Sequence, residues 1–249
     1  MNVIDLNADL GESFGAWRMG DDAGVMPWIT SANVACGFHA GDPATMRATV
    51  ALCIEHGVAI GAHPSLPDLQ GFGRRVMKIS PQEMYDLVVY QAGAVEGFAR
   101  AAGSRLHHIK CHGALYNMAA NDEALSEAMV RAAKDLGVML YVLSKSKNHE
   151  LARRAGVPVC AEVFADRGYT DAGELAPRDK PGGMIEEAGK AVAQALAMIE
   201  QGYVTSLSGK KVPVAADTLC IHGDQPGAAA FAQALRKAFA ERGISVAAP

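Results

Sequence analysis

VIDLNAD, residues 3–9, alternates apolar side chains with acidic or amide side chains. The apolar residues occupy the even positions, whereas Asp5, Asn7 and Asp9 occupy the odd positions. Residues two apart on a β-strand point to the same face of the sheet. The stretch therefore predicts a strand with one apolar face, suited to packing against helices, and one face that carries polar groups.

The same alternation recurs along the 249-residue chain, with helical patterns between the strand-like runs. We predict strands at 3–9, 30–36, 58–63, 106–112, 138–143, 158–164 and 217–222. We predict helices that follow Asp42-Pro43 and Ser80-Pro81, and further helices at 122–136, about 184–201 and about 227–242. This order favours an α/β protein, a (β/α) barrel that forms a single domain over residues 1–249, with a hairpin insertion at about 203–214. Seven strands is an unusual count, so either the barrel is incomplete or one strand has been missed.

Composition excludes several classes of protein. The net charge is −4 and no basic block stands out, so we expect no nucleic-acid partner. No apolar run approaches the ~18 residues of a membrane span, and the N-terminus lacks a signal-peptide pattern. The five cysteines include no Cys-x-x-Cys pair, which favours reduced thiols in a cytoplasmic protein.

Polar residues concentrate where the predicted strands end, which is where barrel enzymes place their catalytic groups. Burying such groups costs several kcal/mol each unless they are paired or used, so a functional pocket is the simplest explanation. The candidate catalytic residues are Asp9, His39, His63, Lys110, His112, Glu162, Asp166 and His222. The candidate substrate-binding residues are Asn7, Glu12, Asn33, Asp42, Arg74, Arg167 and Asp224.

Several of these residues also have a purely structural interpretation. Asp42 precedes a helix-starting proline and is suited to be an N-cap. Asp224 could cap the last helix, and Lys110 could form a structural ion pair with Asp5 or Glu162. Cys111 lies on the face of its strand that packs against helices, and we expect it to be a buried core residue rather than a nucleophile. We expect no site role for three further histidines, His56, His107 and His149.

Metal and nucleotide binding remain open at this stage. The histidines of 107–112 cannot share an ion, because residues four apart on a strand are separated by ~13 Å. A divalent metal would need ligands from different strands, such as Asp9, His39, His63 and His222. No phosphate-binding loop motif occurs, so a nucleotide would need basic side chains and loop amides, or a partner protein. The candidate cations are Lys110, Arg74, Arg75, Arg167 and Arg178.

Six motifs, in order along the chain, resemble the LamB/YcsF family: NADLGE at 7–12, ACGFHAGD at 35–42, GAHPS at 61–65, KCHGALY at 110–116, EVFADR at 162–167 and HGD at 222–224. The resemblance implies a distorted seven-stranded (β/α) barrel related to glycoside hydrolase/deacetylase barrels. It also implies one component, the A subunit, of bacterial ATP-dependent 5-oxoprolinase, with ATP as co-substrate and with B and C subunits as partners. That enzyme converts 5-oxo-L-proline, ATP and water to L-glutamate, ADP and phosphate.

Roles for the residues follow as hypotheses from the resemblance. Lys110 and Arg167 would hold a carboxylate or a phosphorylated oxygen. Asp9, His39 or His63 would activate water, and a histidine, either His112 or His222, would protonate the ring nitrogen. Two other functions remain open, namely a metal-dependent deacetylase or amidohydrolase that acts alone, and a non-catalytic subunit that binds a small molecule.

Overall fold

The computed structural model describes residues 2–222 and 227–249. Its strands are β1 (Val3–Leu10), β2 (Ser31–Ala35), β3 (Ala59–His63), β4 (His108–Ile109), β5 (Met139–Leu143), β6 (Val159–Phe164), β7 (Tyr203–Thr205), β8 (Lys211–Pro213), β9 (Thr218–His222) and β10 (Ser245–Val246). Strands β1 to β6 pair in sequence order, and β9 pairs with both β6 and β1, all in parallel. Seven parallel strands therefore close a barrel, which confirms the predicted fold and the position of every predicted barrel strand.

Strand β4 is shorter than predicted. The sequence predicted a strand over 106–112, but only His108 and Ile109 belong to the ladder. The backbone nevertheless stays against β3, because the amide of Lys110 donates to the carbonyl of Ala62 and that of His112 to the carbonyl of Pro64. Lys110 and His112 therefore keep the orientation that the alternation predicted.

The helices lie between successive strands. They are α1 (Asp22–Val25), a 3-10 turn (Met26–Trp28), α2 (Pro43–His56), α3 (Pro81–Ala101), α4 (Gly113–Asn121), α5 (Glu123–Leu136), α6 (Lys147–Arg154), α7 (Ala188–Gln201) and α8 (Ala228–Glu241). Asp42 caps α2 by accepting from the amide of Thr45, and Ser80 and Glu83 form the predicted capping box of α3. The sequence did not predict α4 and α6, and the helix predicted from about 184 begins at Ala188.

The hydrophobic core surrounds the barrel. The even residues of β1 belong to it and are fully buried or nearly so, whereas Asp5, Asn7 and Asp9 are buried on the opposite face of the strand. Strands β7 and β8 form the predicted antiparallel hairpin, and β10 pairs with the start of β1. Within the described ranges, every helix is too short or too polar to cross a bilayer.

Candidate active site

The lumen of the barrel is filled with hydrogen-bonded polar groups, and Asp5 anchors its deepest part. Its Oδ1 accepts from the hydroxyls of Thr30 at 2.6 Å and Ser31 at 2.8 Å, and its Oδ2 accepts from the hydroxyl of Thr218 at 2.6 Å. The suggested pairing of Lys110 with Asp5 is therefore wrong, because hydroxyl groups at the bottom of the barrel satisfy this carboxylate.

Two amides connect the middle of the lumen. Asn33 donates to Asn7 Oδ1 at 2.7 Å and to Asp9 Oδ1 at 2.9 Å. His108 donates from Nε2 to Asn33 Oδ1 at 2.8 Å. The imidazole of His108 fits only because residue 61 is glycine, since a Cβ there would overlap His108 Nε2.

Lys110 occupies the centre of this network. Its Nζ donates to Asp9 Oδ1 at 2.8 Å and to Asn7 Oδ1 at 3.2 Å, and it lies 3.0 Å from Glu162 Oε1. Burial alone would lower the pKa of Lys110, but the surrounding Asp9, Cys220 and Glu162 hold it well above its ordinary value. The predicted pairing with Glu162 is confirmed, and the ammonium stays charged.

Three buried histidines meet beside Asp9. His63 Nε2 lies 2.9 Å from His112 Nδ1 and 3.3 Å from Asp9 Oδ2. His39 stacks on the ring of His112 and donates from Nε2 to Glu12 at 3.2 Å. Burial lowers the pKa values of His39 and His112 well below the ordinary value, so both rings are neutral.

The same cluster determines the ionisation of Asp9. Burial of this carboxylate opposes its ionisation, but His63 and Lys110 hold its pKa well below the ordinary value. Asp9 is therefore a carboxylate at neutral pH, with Oδ1 bound to Lys110 and Oδ2 facing His63.

A second acid–histidine pair lies on the other side of the barrel mouth. His222 donates from Nδ1 to Asp166 Oδ2 at 2.6 Å, and its Nε2 accepts from Arg178 at 2.8 Å. Burial would raise the pKa of Asp166, but His222, Arg178 and Arg167 hold it below the ordinary value. The ionised carboxylate thus fixes the tautomer and orientation of His222.

A cavity of about 550 Å³ opens at the carboxyl ends of the strands, where these groups converge. Of the predicted site residues, those that line it are Asp9, His63, Arg74, Lys110, His112, Arg167 and His222. Other predicted residues contact the lining from behind. Lys110 and Asp9 are held in this way by Asn7, Asn33 and Glu162, and the histidine cluster is held by Glu12 and His39.

Two predicted substrate-binding residues have structural roles. Asp42 does not line the cavity; it caps α2 and also accepts from the amide of Gly15 at 2.8 Å. Arg167 borders the cavity, but its guanidinium donates to the carbonyls of Ala176 at 2.6 Å and Gly183 at 3.2 Å, so much of its donor capacity is used within its own loop. Asp224 lies outside the described residues.

Sequence reasoning missed several residues at the cavity wall or buried directly beneath it. The hydroxyl of Tyr116 donates to Glu162 at 2.8 Å, and Cys220 places its Sγ 2.9 Å from Lys110 Nζ. Cys220 shares the parity of His222, a signal that was available, and Tyr116 lies one helical turn after His112. Arg178 was proposed only as a nucleotide ligand, yet it contacts His222 at the cavity wall.

The site combines ionised carboxylates, neutral imidazoles and cations around one cavity, which suits proton transfer and the binding of an anionic small molecule. Two groups of side chains in the described ranges also bring potential metal donors within 4.8 Å of one another. One comprises Glu12, His39, His63 and His112; the other comprises Asp9, Cys220 and His222. The sequence had suggested one set of metal ligands, Asp9, His39, His63 and His222. In the structure these residues are divided between the two groups.

Comparison with known proteins supports the fold and identifies the family. A curated relative, the A subunit of 5-oxoprolinase from Bordetella parapertussis, is 56% identical over 246 residues, which cover 98% of each chain. The crystal structure of a lactam utilization protein from Thermus thermophilus is 46% identical and matches with a TM-score of 0.93 over 100% of both chains. A family 4 carbohydrate esterase from Streptomyces lividans, 11% identical over 98% of this chain and 91% of its own, shares the fold with a TM-score of 0.54. Residues 4–249 match the model of the LamB/YcsF family, and the chain belongs to that family.

Proposed function

We propose that this chain is the A subunit of a cytoplasmic ATP-dependent 5-oxoprolinase, which opens the lactam of 5-oxo-L-proline to L-glutamate. The observation that carries the proposal is the full-length similarity to a protein named for lactam utilization, at 46% identity. Curated relatives that are named as the A subunit of 5-oxoprolinase, at 50–56% identity, support it. Because those relatives are named as one part of a larger enzyme, we propose that the B and C subunits are the partners of this chain.

The chemistry of the lactam explains why ATP is needed. A five-membered lactam is stabilised by amide resonance, and its hydrolysis needs a stronger driving force than water alone supplies. Transfer of the γ-phosphoryl group of ATP to the lactam oxygen makes the ring carbon more electrophilic and couples ring opening to ATP hydrolysis. Because the sequence has no phosphate-binding loop, we propose that cavity cations or a partner protein hold the nucleotide.

The cavity supports a division of roles between its two sides. Water would be activated on the side of Asp9 and His63. Once Arg178 turns from His222 to an anionic group of the substrate, His222 Nε2 would be free to take up a proton and pass it to the ring nitrogen as the C–N bond breaks. Arg178 is better placed than Arg167 to hold an anionic group, because Arg178 contacts His222 at the cavity wall. Lys110 holds Asp9 in its ionised form and in a fixed orientation.

The test is release of glutamate from 5-oxoproline by the purified chain, with and without ATP and the two partner proteins. We expect turnover only when all components are present. Hydrolysis of amides or acetylated sugars without ATP would instead select a stand-alone amidohydrolase or deacetylase. Full activity of the complex after His222→Ala and Asp9→Asn would select a chain that only binds the substrate.

A further inference from the structure

Two buried histidines each bind a backbone carbonyl through one ring nitrogen and turn the other ring nitrogen toward each other. The backbone carbonyl of Lys110 lies 2.8 Å from His63 Nδ1, and the carbonyl of Phe72 lies 2.9 Å from His112 Nε2. A carbonyl oxygen only accepts hydrogen bonds, so each of these nitrogens donates to its carbonyl. The second ring nitrogens, His63 Nε2 and His112 Nδ1, lie 2.9 Å from each other.

Carboxylate oxygens surround the same point. Asp9 Oδ2 lies 3.3 Å from His63 Nε2, and Glu12 Oε1 lies 3.8 Å from His112 Nδ1. Carboxylate oxygens and imidazole nitrogens are the donor atoms that zinc binds, and all four side chains are buried.

From this geometry we propose that Glu12, His63 and His112 bind one divalent transition-metal ion, with zinc as the reference ion. Donor atoms that share a tetrahedral zinc ion at roughly 2.0–2.1 Å lie about 3.3–3.4 Å apart. The two imidazole nitrogens are 2.9 Å apart and Glu12 Oε1 is 3.8 Å from His112 Nδ1, so small shifts bring all three atoms to this spacing. The two rings meet edge to face, with an angle of 83° between their planes.

The surroundings of the two histidines are those of metal ligands. Metal-binding histidines usually donate their second ring N–H to a carbonyl or carboxylate, as His63 and His112 do here. Phe72, which supplies one of these carbonyls, has φ +53°, a left-handed conformation that is rare for a bulky residue and is found at functional sites.

His39 is assigned a supporting position. Its ring is parallel to that of His112 within 5°, with centroids 3.8 Å apart. An ion in the plane of the His112 ring therefore lies well outside the plane of the His39 ring. His39 instead donates to Glu12 and orients the carboxylate that would bind the ion.

Both metal-binding rings line the cavity, so the ion would have an open coordination position there. When bound, such an ion acts as a Lewis acid and lowers the pKa of a coordinated water. Asp9, beside His63, could accept the proton of that water. Metal binding at this site would be a property of the isolated chain, separate from the lactam and ATP chemistry proposed above.

The test is zinc binding by the chelator-treated chain, without ATP, lactam or partner proteins. Calorimetry and elemental analysis should show one zinc per chain, and cobalt should give a visible absorption band. Glu12→Gln, which keeps the size of the side chain, and His63→Ala should each weaken zinc binding at least about tenfold. His56→Ala, which removes an exposed histidine at the end of α2, is the matched control and should bind zinc like the parent.

Failure to fold is separated from loss of the site by measuring circular dichroism and melting temperature for each variant. At the same zinc concentration, zinc should raise the melting temperature of the parent and of His56→Ala by more than that of folded Glu12→Gln. The proposal is overturned if the parent takes up no zinc, in which case a proton lies between the histidines. Equal zinc affinity in the parent and both site variants would also overturn it. Neither result depends on whether the chain acts on 5-oxoproline.

Discussion

Lys110 Nζ lies 2.8 Å from Asp9 Oδ1 inside the barrel, and both side chains are almost completely buried. Lys110→Met would leave the buried carboxylates of Asp9 and Glu162 without their cation. We expect this variant to lose about 3–5 kcal/mol of unfolding free energy, because removal of one partner leaves buried charge uncompensated. Urea denaturation at pH 7 measures the change.

The matched control for Lys110→Met is Lys190→Met. Lys190 pairs with Glu187 on α7, where both side chains are mostly exposed, and exposed ion pairs contribute little to stability. We expect Lys190→Met to unfold at the same urea concentration as the parent. Equal losses in the two variants would contradict a central role for the buried ammonium.

Gly61 makes room for His108 inside the barrel, and this close approach gives a second prediction. Gly61→Ala would place a methyl group against the imidazole, displace His108 from Asn33 and lower the unfolding free energy by about 1–3 kcal/mol. Gly93→Ala is the control, because a Cβ at this position on α3 meets no other group within 4 Å. Helix propensity predicts that Gly93→Ala raises stability by roughly 0.5–1 kcal/mol. Similar losses in both variants would exclude the steric explanation.

The sequence was sufficient to predict the barrel because strand parity is a local property. In β1, alternation alone separates Ile4 and Leu6, in the core, from Asn7 and Asp9, in the lumen. Parity does not give depth along the barrel, which depends on how neighbouring strands are paired. Asp9 lies level with Asn33 and His222 in the closed sheet. This register could not be predicted from parity, and Asp5 was therefore a candidate partner of Lys110 until the strands were placed.

The contacts that sequence reasoning missed form only in the closed fold. Cys220 meets Lys110 from across the barrel, and Tyr116 reaches Glu162 from α4, a helix that the sequence did not predict. Arg167 has a side chain suited to binding an anionic substrate. Its loop folds back, however, so that the guanidinium donates hydrogen bonds to two backbone carbonyls of that loop. The type of each residue indicated what it could bind. The conformation of the loops determined which hydrogen-bonding groups already have a partner within the protein.

The Asp166–His222 pair gives a third prediction, which concerns catalysis. Asp166→Asn keeps the size of the side chain but removes the ionised acceptor that holds His222 Nδ1. If His222 transfers a proton to the lactam nitrogen, turnover in the reconstituted complex should fall by about 10²–10⁴. The matched control is Asp171→Asn, a carboxylate at the hairpin that binds Ser206 and Ser208. Unchanged turnover in Asp166→Asn would exclude the assigned role.

The fourth prediction concerns pH and His108. Burial is the main cause that lowers the pKa of this ring well below its ordinary value, so the folded protein holds His108 neutral. As pH falls below about 6.5, the unfolded chain binds a proton here that the folded chain does not, and stability decreases. His108 alone should contribute a slope of roughly 1.4 kcal/mol per pH unit.

His108→Gln tests this slope, because glutamine keeps an amide donor for Asn33 but does not titrate. Urea denaturation between pH 7 and pH 5 should show a smaller loss of stability per pH unit in His108→Gln than in the parent, whatever the absolute stability of the variant. His56→Gln, at an exposed position, should keep the slope of the parent. An unchanged slope in His108→Gln would mean that the ring is protonated in the folded barrel, where its two neighbours His107 and Lys110 disfavour the charge.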